Sequence, residues 1–240
     1  MNIINVGNII MNTYVYHCPS GYVMIDTGYE HSLKDVETKL DRNGIKLSDI
    51  KYVFLTHAHD DHAGFLNELL GKNADLKVIM SVKSMPTLKR GQNSFEGGCS
   101  TRLAWVFCKL MGLVGKAEHR FPVIESRHDN RFVEITETNR SNLEKILNGK
   151  ILFTPGHTAD SVSLKVGNLI FCGDAAMNGI PSMNRFIIWI ENVKEFENSW
   201  DVMISENPDR IYPAHGKPFR VNDLVKYKNK ISKIKLYKLK

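Results

Sequence analysis

The chain has 240 residues, with 32 Lys and Arg against 26 Asp and Glu for a formal charge of +6. With 42% hydrophobic and 24% charged residues, it falls outside the disordered, collagen and coiled-coil classes, and the length supports a core that needs no disulfide staples. Seven of the Lys lie in residues 224–240 (LVKYKNKISKIKLYKLK) without an acid, which leaves the rest near neutral and makes the basic balance a property of the tail.

Four cysteines (Cys18, Cys99, Cys108 and Cys172) form no CxxC pair. Residues 1–16 lack the basic start and apolar run of a signal peptide, and no apolar run reaches membrane-spanning length. The expectation is a soluble, cytoplasmic protein with reduced thiols and no membrane span.

In chain order, 13–18 and 22–26 read as a β-hairpin turning at Pro19-Ser20-Gly21. Residues 32–43 carry Leu33, Val36 and Leu40 at helical spacing, from Ser32 to Gly44. Residues 51–55 (KYVFL) are a short strand, 62–70 a helical pattern and 78–80 a strand. Further strands are expected at 131–135 and 150–154, and at 162–172 as a hairpin around Gly167-Asn168. Residues 193–205 form a helix opened by Asn192 with Glu195. The interleaving gives a mixed α and β protein, read as one domain over 1–240.

Two segments stand apart. Within 84–128, the apolar run 101–113 (TRLAWVFCKLMGL) reads as a buried helix, or else as a lid or oligomer contact. In the tail 224–240, Leu224, Tyr227, Ile231 and Ile234 fit an apolar helical stripe. That pattern reads as a solvated terminal helix or a frayed end.

The chemistry concentrates at strand ends. His57-Ala58-His59-Asp60-Asp61-His62 follows the strand KYVFL, and Thr154-Pro155-Gly156-His157-Thr158 follows the strand at 150. Gly173-Asp174-Ala175 ends another strand, and Pro213-Ala214-His215-Gly216 comes last. Imidazole and carboxylate suit zinc and similar divalent ions. In extended backbone His57 and His59 project to one side and can share an ion, while Asp61 and His62 turn towards a neighbouring position. Such a donor set exceeds the four that one tetrahedral zinc takes, and with one shared carboxylate it suits two ions. His17, His31, His119 and His128 have no motif context and read as surface residues.

The motifs THAHDDH (56–62), TPGHT (154–158), GDA (173–175) and PAHG (213–216), with Asp26-Thr27-Gly28 before them, resemble the metallo-β-lactamase-fold hydrolases. The resemblance implies an α/β (α+β) four-layer αββα sandwich, with two mixed sheets face to face and helices outside. It implies two divalent ions, zinc first, with manganese and iron as alternatives. His57, His59 and His157 would hold one ion, Asp61, His62 and His215 the other, and Asp174 would bridge them. Asp60 fills a variable position. Asp26 and Thr56 would support the ligands from behind. A metal-bridging hydroxide would attack the substrate, with Asp61 also orienting it or moving a proton.

For the substrate, the apolar stretch after Asp174 includes Met177, Phe186 and Trp189 and reads as a pocket wall or as core packing. Met177 stands where acyl-homoserine lactonases of the family carry Tyr, and His59 sets the chain apart from flavodiiron proteins. The leading reading is a dinuclear hydrolase of a small ester, thioester or lactone. Alternatives are a phosphodiesterase or nuclease of the same fold, a mononuclear iron persulfide dioxygenase, and a binding protein without turnover. Nucleic acid is disfavoured as a partner, with the Lys-rich tail its one route, and a homodimer stays open.

Overall fold

A computed structural model describes residues 2–115 and 117–239. In chain order the first elements are β1 (Ile3–Asn5), β2 (Tyr14–Cys18), β3 (Gly21–Ile25), α1 (Leu33–Arg42), β4 (Ile50–Phe54), α2 (Asp60–Ala63) and α3 (Leu66–Lys72). Next come β5 (Lys77–Ser81), α4 (Met85–Arg90), β6 (Gly98–Cys99), α5 (Arg102–Leu113), β7 (Phe132–Ile135), α6 (Arg140–Leu147) and β8 (Lys150–Phe153). The last are β9 (Val162–Val166), β10 (Leu169–Gly173), β11 (Trp189–Ile190), α7 (Val193–Ser205), β12 (Arg210–Pro213), β13 (Phe219–Arg220) and α8 (Asn222–Tyr227). The chain packs as two compact units: one runs up to Asn93 and includes Arg120–Lys150, and the other holds Ser94–His119 and everything from Ile151.

The first unit is built on a mixed sheet of order β1-β2-β3-β4-β5-β7. β2 and β3 form the expected antiparallel hairpin, with Cys18 opposite Gly21 and Tyr14 opposite Ile25. From β3 onward the strands run parallel. Val78, Ile79 and Met80 of β5 are all fully buried, the continuous apolar run expected of a strand covered on both faces. Helix α1 buries Leu33, Val36 and Leu40, three residues on one stripe that join the core of this unit with Val53, Leu55, Leu66 and Leu69. The register pairs Ile25 with Phe54, so β3 and β4 end side by side and release Asp26 and Thr56 as neighbours.

The second unit carries a sheet of order β13-β12-β10-β9-β8 and a small antiparallel pair of β6 with β11. The β9–β10 hairpin turns at Gly167-Asn168 as expected, with Leu169 opposite Val166. Parallel pairing sets Phe171 against Tyr212 and Gly173 against Pro213, so Asp174 and Ala214-His215 leave the sheet at the same end. Helix α7 starts where expected: the Asn192 side chain accepts from the Lys194 and Glu195 backbone N–H groups, which satisfies two donors that a helix start leaves open. It buries Phe196, Trp200 and Met203.

Three expectations need correction. Residues 101–113 do form a helix, α5, but it is not buried. Ala104 alone is buried on it, while Leu110 is 57% and Leu113 84% exposed. The tail is not a frayed end. Leu224 and Ile231 are fully buried in the second unit's core, with Tyr227 and Ile234 packed against it, and Lys228 pairs with Asp201 of α7. His128 is not a surface residue, at 6% exposed. It sits in a 3-10 turn over Ser126–Arg131, a position without the amphipathic period that reveals burial in sequence.

Candidate metal centre

In the first unit the donor cluster lies where β4 gives way to α2. Asp26 adopts a left-handed backbone (φ 57°) directly after β3, and its N–H donates to Phe54 O at 3.0 Å. This turn carries its carboxylate beneath the histidines. One oxygen accepts from Thr56 N at 2.7 Å. The other accepts from Thr56 Oγ1 at 2.8 Å and lies 2.9 Å from His62 Nδ1. Thr56 Oγ1 is 3.1 Å from His57 Nδ1. Buried Asp26 thus holds two imidazoles, directly and through Thr56, by the nitrogen on the side away from Nε2. A hydrogen bond to Nδ1 of this kind fixes the tautomer of a metal-binding His.

The rings stand close. His57 lies 4.6 Å from His59 and 3.9 Å from His62, centroid to centroid. Candidate ligand atoms of His57 lie within 4.8 Å of those of His59 and of His62, and those of Asp61 within the same distance of His62. His62 Nε2 is 3.7 Å from Asp61 Oδ1. All three imidazoles are buried, and Asp61 is partly exposed.

Backbone anchors set the turn into α2. Thr27 donates from N and Oγ1 to His62 O at 2.8 and 2.7 Å. Gly64 is needed by close approach, since a Cβ there would sit 2.4 Å from Asp60 O and from Glu30 N. Asn93 clamps Asp60 both ways: its side-chain oxygen accepts from Asp60 N at 2.8 Å, and its amide donates to Asp60 Oδ1 at 2.7 Å. Sequence reasoning passed over Asn93, because a lone Asn in an irregular stretch carries no motif signal.

In the second unit Asp174 is 5% exposed and faces two imidazoles, one per oxygen. Oδ2 lies 3.5 Å from His157 Nε2 and Oδ1 lies 3.5 Å from His215 Nε2. These spacings exceed a good charge-assisted hydrogen bond. They come close to the separation of two ligand atoms on one tetrahedral zinc, roughly 3.3–3.4 Å for bonds of about 2.0–2.1 Å. His157 is oriented by Trp189 O, 2.7 Å from its Nδ1, which leaves Nε2 as the nitrogen turned towards Asp174.

The loop around His157 is tied down by residues that carry no family motif. Glu191 N donates to Gly156 O at 2.9 Å, and Glu191 Oε2 accepts from Ala159 N at 2.9 Å. Burial raises the Glu191 pKa above the ordinary carboxylate value, against an opposing hydrogen bond from Ser94. Asn178 N donates to His215 O at 2.9 Å and fixes the last motif.

Of the three residues read as a pocket wall, Met177 and Phe186 lie inside the second unit's core, Phe186 5.7 Å from the Trp200 ring. Trp189 is half-buried, and its indole N–H donates to Glu96 O at 2.6 Å. Among the described residues no helix is long and apolar enough to cross a membrane.

Both units therefore present the donor chemistry of a divalent-metal site: imidazoles, three of them held through Nδ1, beside carboxylates. A profile of the metallo-beta-lactamase superfamily matches residues 7–215. The chain is 27% identical over 206 residues to the metallo-beta-lactamase fold-containing protein ST1585 of Sulfurisphaera tokodaii, covering 81% of this chain and 68% of that protein. Against the solved structure of ST1585 the TM-score is 0.61 at 21% identity, over 95% of this chain and 84% of the other. The probable metallo-hydrolase MJ0888 of Methanocaldococcus jannaschii is 25% identical over 200 residues, covering 81% of this chain and 82% of that one. The structure of TTHA1623 in a di-iron-bound form matches with a TM-score of 0.63 and 20% identity, over 95% of this chain and 98% of the other. The chain spans 55–68% of the length of the first three curated relatives it matches. The chain belongs to the metallo-β-lactamase superfamily, the family its motifs resemble, and its fold is like that of the superfamily's solved structures.

Proposed function

We propose that the chain is a dinuclear metal-dependent hydrolase of a small ester, thioester or lactone. His57, His59 and His157 would hold one ion, Asp61, His62 and His215 the other, and Asp174 would serve both. The observation that carries this reading is Asp174, whose two oxygens face two different imidazoles at 3.5 Å each. A carboxylate so placed suits a shared ligand better than it suits an ion pair with either His. The di-iron form of TTHA1623 supports two ions per site in this fold, and zinc stays the first expectation for a His and Asp donor set.

Bound divalent ions would lower the pKa of water towards about 7 and polarise the substrate's carbonyl oxygen. The chain's own residues do the rest. Asp26 and Thr56 keep His57 and His62 in the tautomer that presents Nε2. Trp189 O does the same for His157. Asp61, partly exposed, would accept or return a proton. Trp189 offers ring surface to an apolar substrate portion, while Met177 and Phe186 would shape that wall from inside the core.

The test is elemental analysis of protein purified without chelator, with the wild type expected to carry about two zinc, manganese or iron ions per chain. His59→Ala and Asp174→Ala should lose metal and esterase, thioesterase or lactonase activity together. Asp26→Asn should keep the fold by circular dichroism and lose about 10–100-fold in metal affinity by chelator competition. Wild-type protein that takes up no metal on reconstitution, or Asp174→Ala with unchanged metal and activity, would overturn the reading.

A further inference from the structure

Helix α5, in the second unit, carries its apolar side outward. Ala104 is buried, and Trp105, Cys108 and Met111 are half-buried beside it. These four mark the side that packs on the rest of the unit. Leu103, Val106, Phe107, Leu110 and Leu113, with Val114 at the helix end, are all exposed. At 3.6 residues per turn these six fall within one arc of roughly 120°. The outward side is therefore a continuous apolar stripe about 18 Å long, the kind of surface that marks an interaction site.

The charges around the stripe are of one sign. No Asp or Glu occurs from Gly97 to Ala117, whereas Arg102 and Lys109 are exposed on the helix. By the same helical spacing both lie along the edge next to Trp105, and Lys109 Nζ stands 5.4 Å from the centroid of the Trp105 ring. The end of the Lys-rich tail is tied to this edge. Tyr237 exchanges backbone hydrogen bonds with Cys99 at 2.9 and 3.0 Å, and Lys238 O accepts from the Trp105 indole N–H at 2.9 Å. Tyr237 and Lys238 are themselves exposed.

We propose that α5 and the end of the tail form a docking surface for an anionic phospholipid membrane. The apolar stripe enters the boundary between headgroups and acyl chains, and Arg102, Lys109 and Lys238 meet the headgroups. Charge and shape select this occupant. The outer side of a single helix is convex and offers no cleft to a small ligand. A fluid bilayer accepts a convex apolar ridge without a matching groove, and its anionic headgroups neutralise cations along the ridge's edge. A second copy would bring the same patch, with the same cations, face to face across a two-fold contact. The chain would lie on the membrane, a mode that needs no spanning helix.

The test is co-sedimentation of the full chain with vesicles of phosphatidylcholine alone and with vesicles that also hold about 30% phosphatidylserine, at about 0.1 M and 0.5 M salt. Binding should appear with the anionic vesicles, fall at high salt, and be at least tenfold weaker on phosphatidylcholine alone. Arg102→Gln/Lys109→Gln should weaken it by roughly fivefold per cation removed. Leu110→Asp should weaken it at least tenfold, with the urea midpoint near that of the wild type. Should a variant fail to fold, the wild type alone decides: anionic vesicles should slow amide exchange over residues 102–114 and leave α7 unchanged. No binding to the anionic vesicles, or binding that leaves exchange over 102–114 unchanged, would overturn the proposal. So would a dimer in sedimentation equilibrium that Leu110→Asp dissociates, in the absence of vesicle binding, which would assign the stripe to a second copy.

Discussion

At the scale of single residues, burial and charge give His128 a defined response to pH. Its Nε2 finds no hydrogen-bond partner among the described residues, and Arg127 and Arg131 flank it in the same 3-10 turn. Burial first, then these two guanidinium groups, hold its pKa below the ordinary His value, against weaker opposing pulls from Glu125 and Asp129. The folded state therefore prefers neutral His128, and the unfolded chain takes up the proton first as pH falls. Stability from this site is complete above about pH 6.5, the unfolded value, and is lost as pH drops below it. Urea midpoints at pH 7.5 and 5.5 should fall on acidification in the wild type and fall less in His128→Gln. An equal drop in both proteins would show that His128 is not the group responsible. The sequence hid this residue because nothing in SRHDNR distinguishes a buried imidazole from an exposed one, whereas HAHDDH announced its chemistry by spacing alone.

At the scale of elements, α5 shows what a sequence pattern can and cannot fix. Its apolar run made the helix legible, and the structure adds the cap, with Thr101 Oγ1 accepting from the Ala104 N–H. Its exposure was not, because burial depends on whether another surface meets the helix, and local sequence does not encode that surface. Leu110→Lys should consequently change unfolding free energy by no more than about 0.5 kcal/mol in urea titrations. Leu33→Ala on α1, at a fully buried position, should cost about 2–5 kcal/mol. A large loss in Leu110→Lys would mean that the helix is covered in solution, by a second copy or otherwise, and the concentration dependence of the loss would separate those cases. Elements with strong periodicity or a cap, such as the β2–β3 hairpin, α1, the β9–β10 hairpin and α7, were read from sequence within a residue or two. The two-residue strands β6 and β11 were not. A pair of residues carries no alternation to detect, and yet β11 brings Trp189 O to His157.

At the scale of the whole molecule, the uneven charge resolves into a packed element with a basic outer side. Leu224 and Ile231 are fully buried in the second unit's core, while Lys226, Lys230, Lys233, Lys235 and Lys238 are exposed. Burying two such apolar side chains contributes roughly 3–6 kcal/mol, a large share of the about 5–15 kcal/mol by which a typical domain is stable. Deleting 224–240 should therefore yield protein that is largely unfolded or insoluble, seen as loss of the cooperative urea transition. Loss of nucleic-acid binding on that deletion would then say nothing about contacts made by the tail. The separable change is charge alone. Replacing the five exposed lysines with Gln leaves the apolar stripe in place and should leave the urea midpoint nearly unchanged. If the tail binds a phosphate backbone, affinity for single-stranded RNA should fall steeply with salt in the wild type and lose much of that salt slope in the five-fold variant. A flat, weak salt dependence in both proteins assigns the tail to folding, and the reading of a small carbonyl substrate then stands without a nucleic-acid competitor.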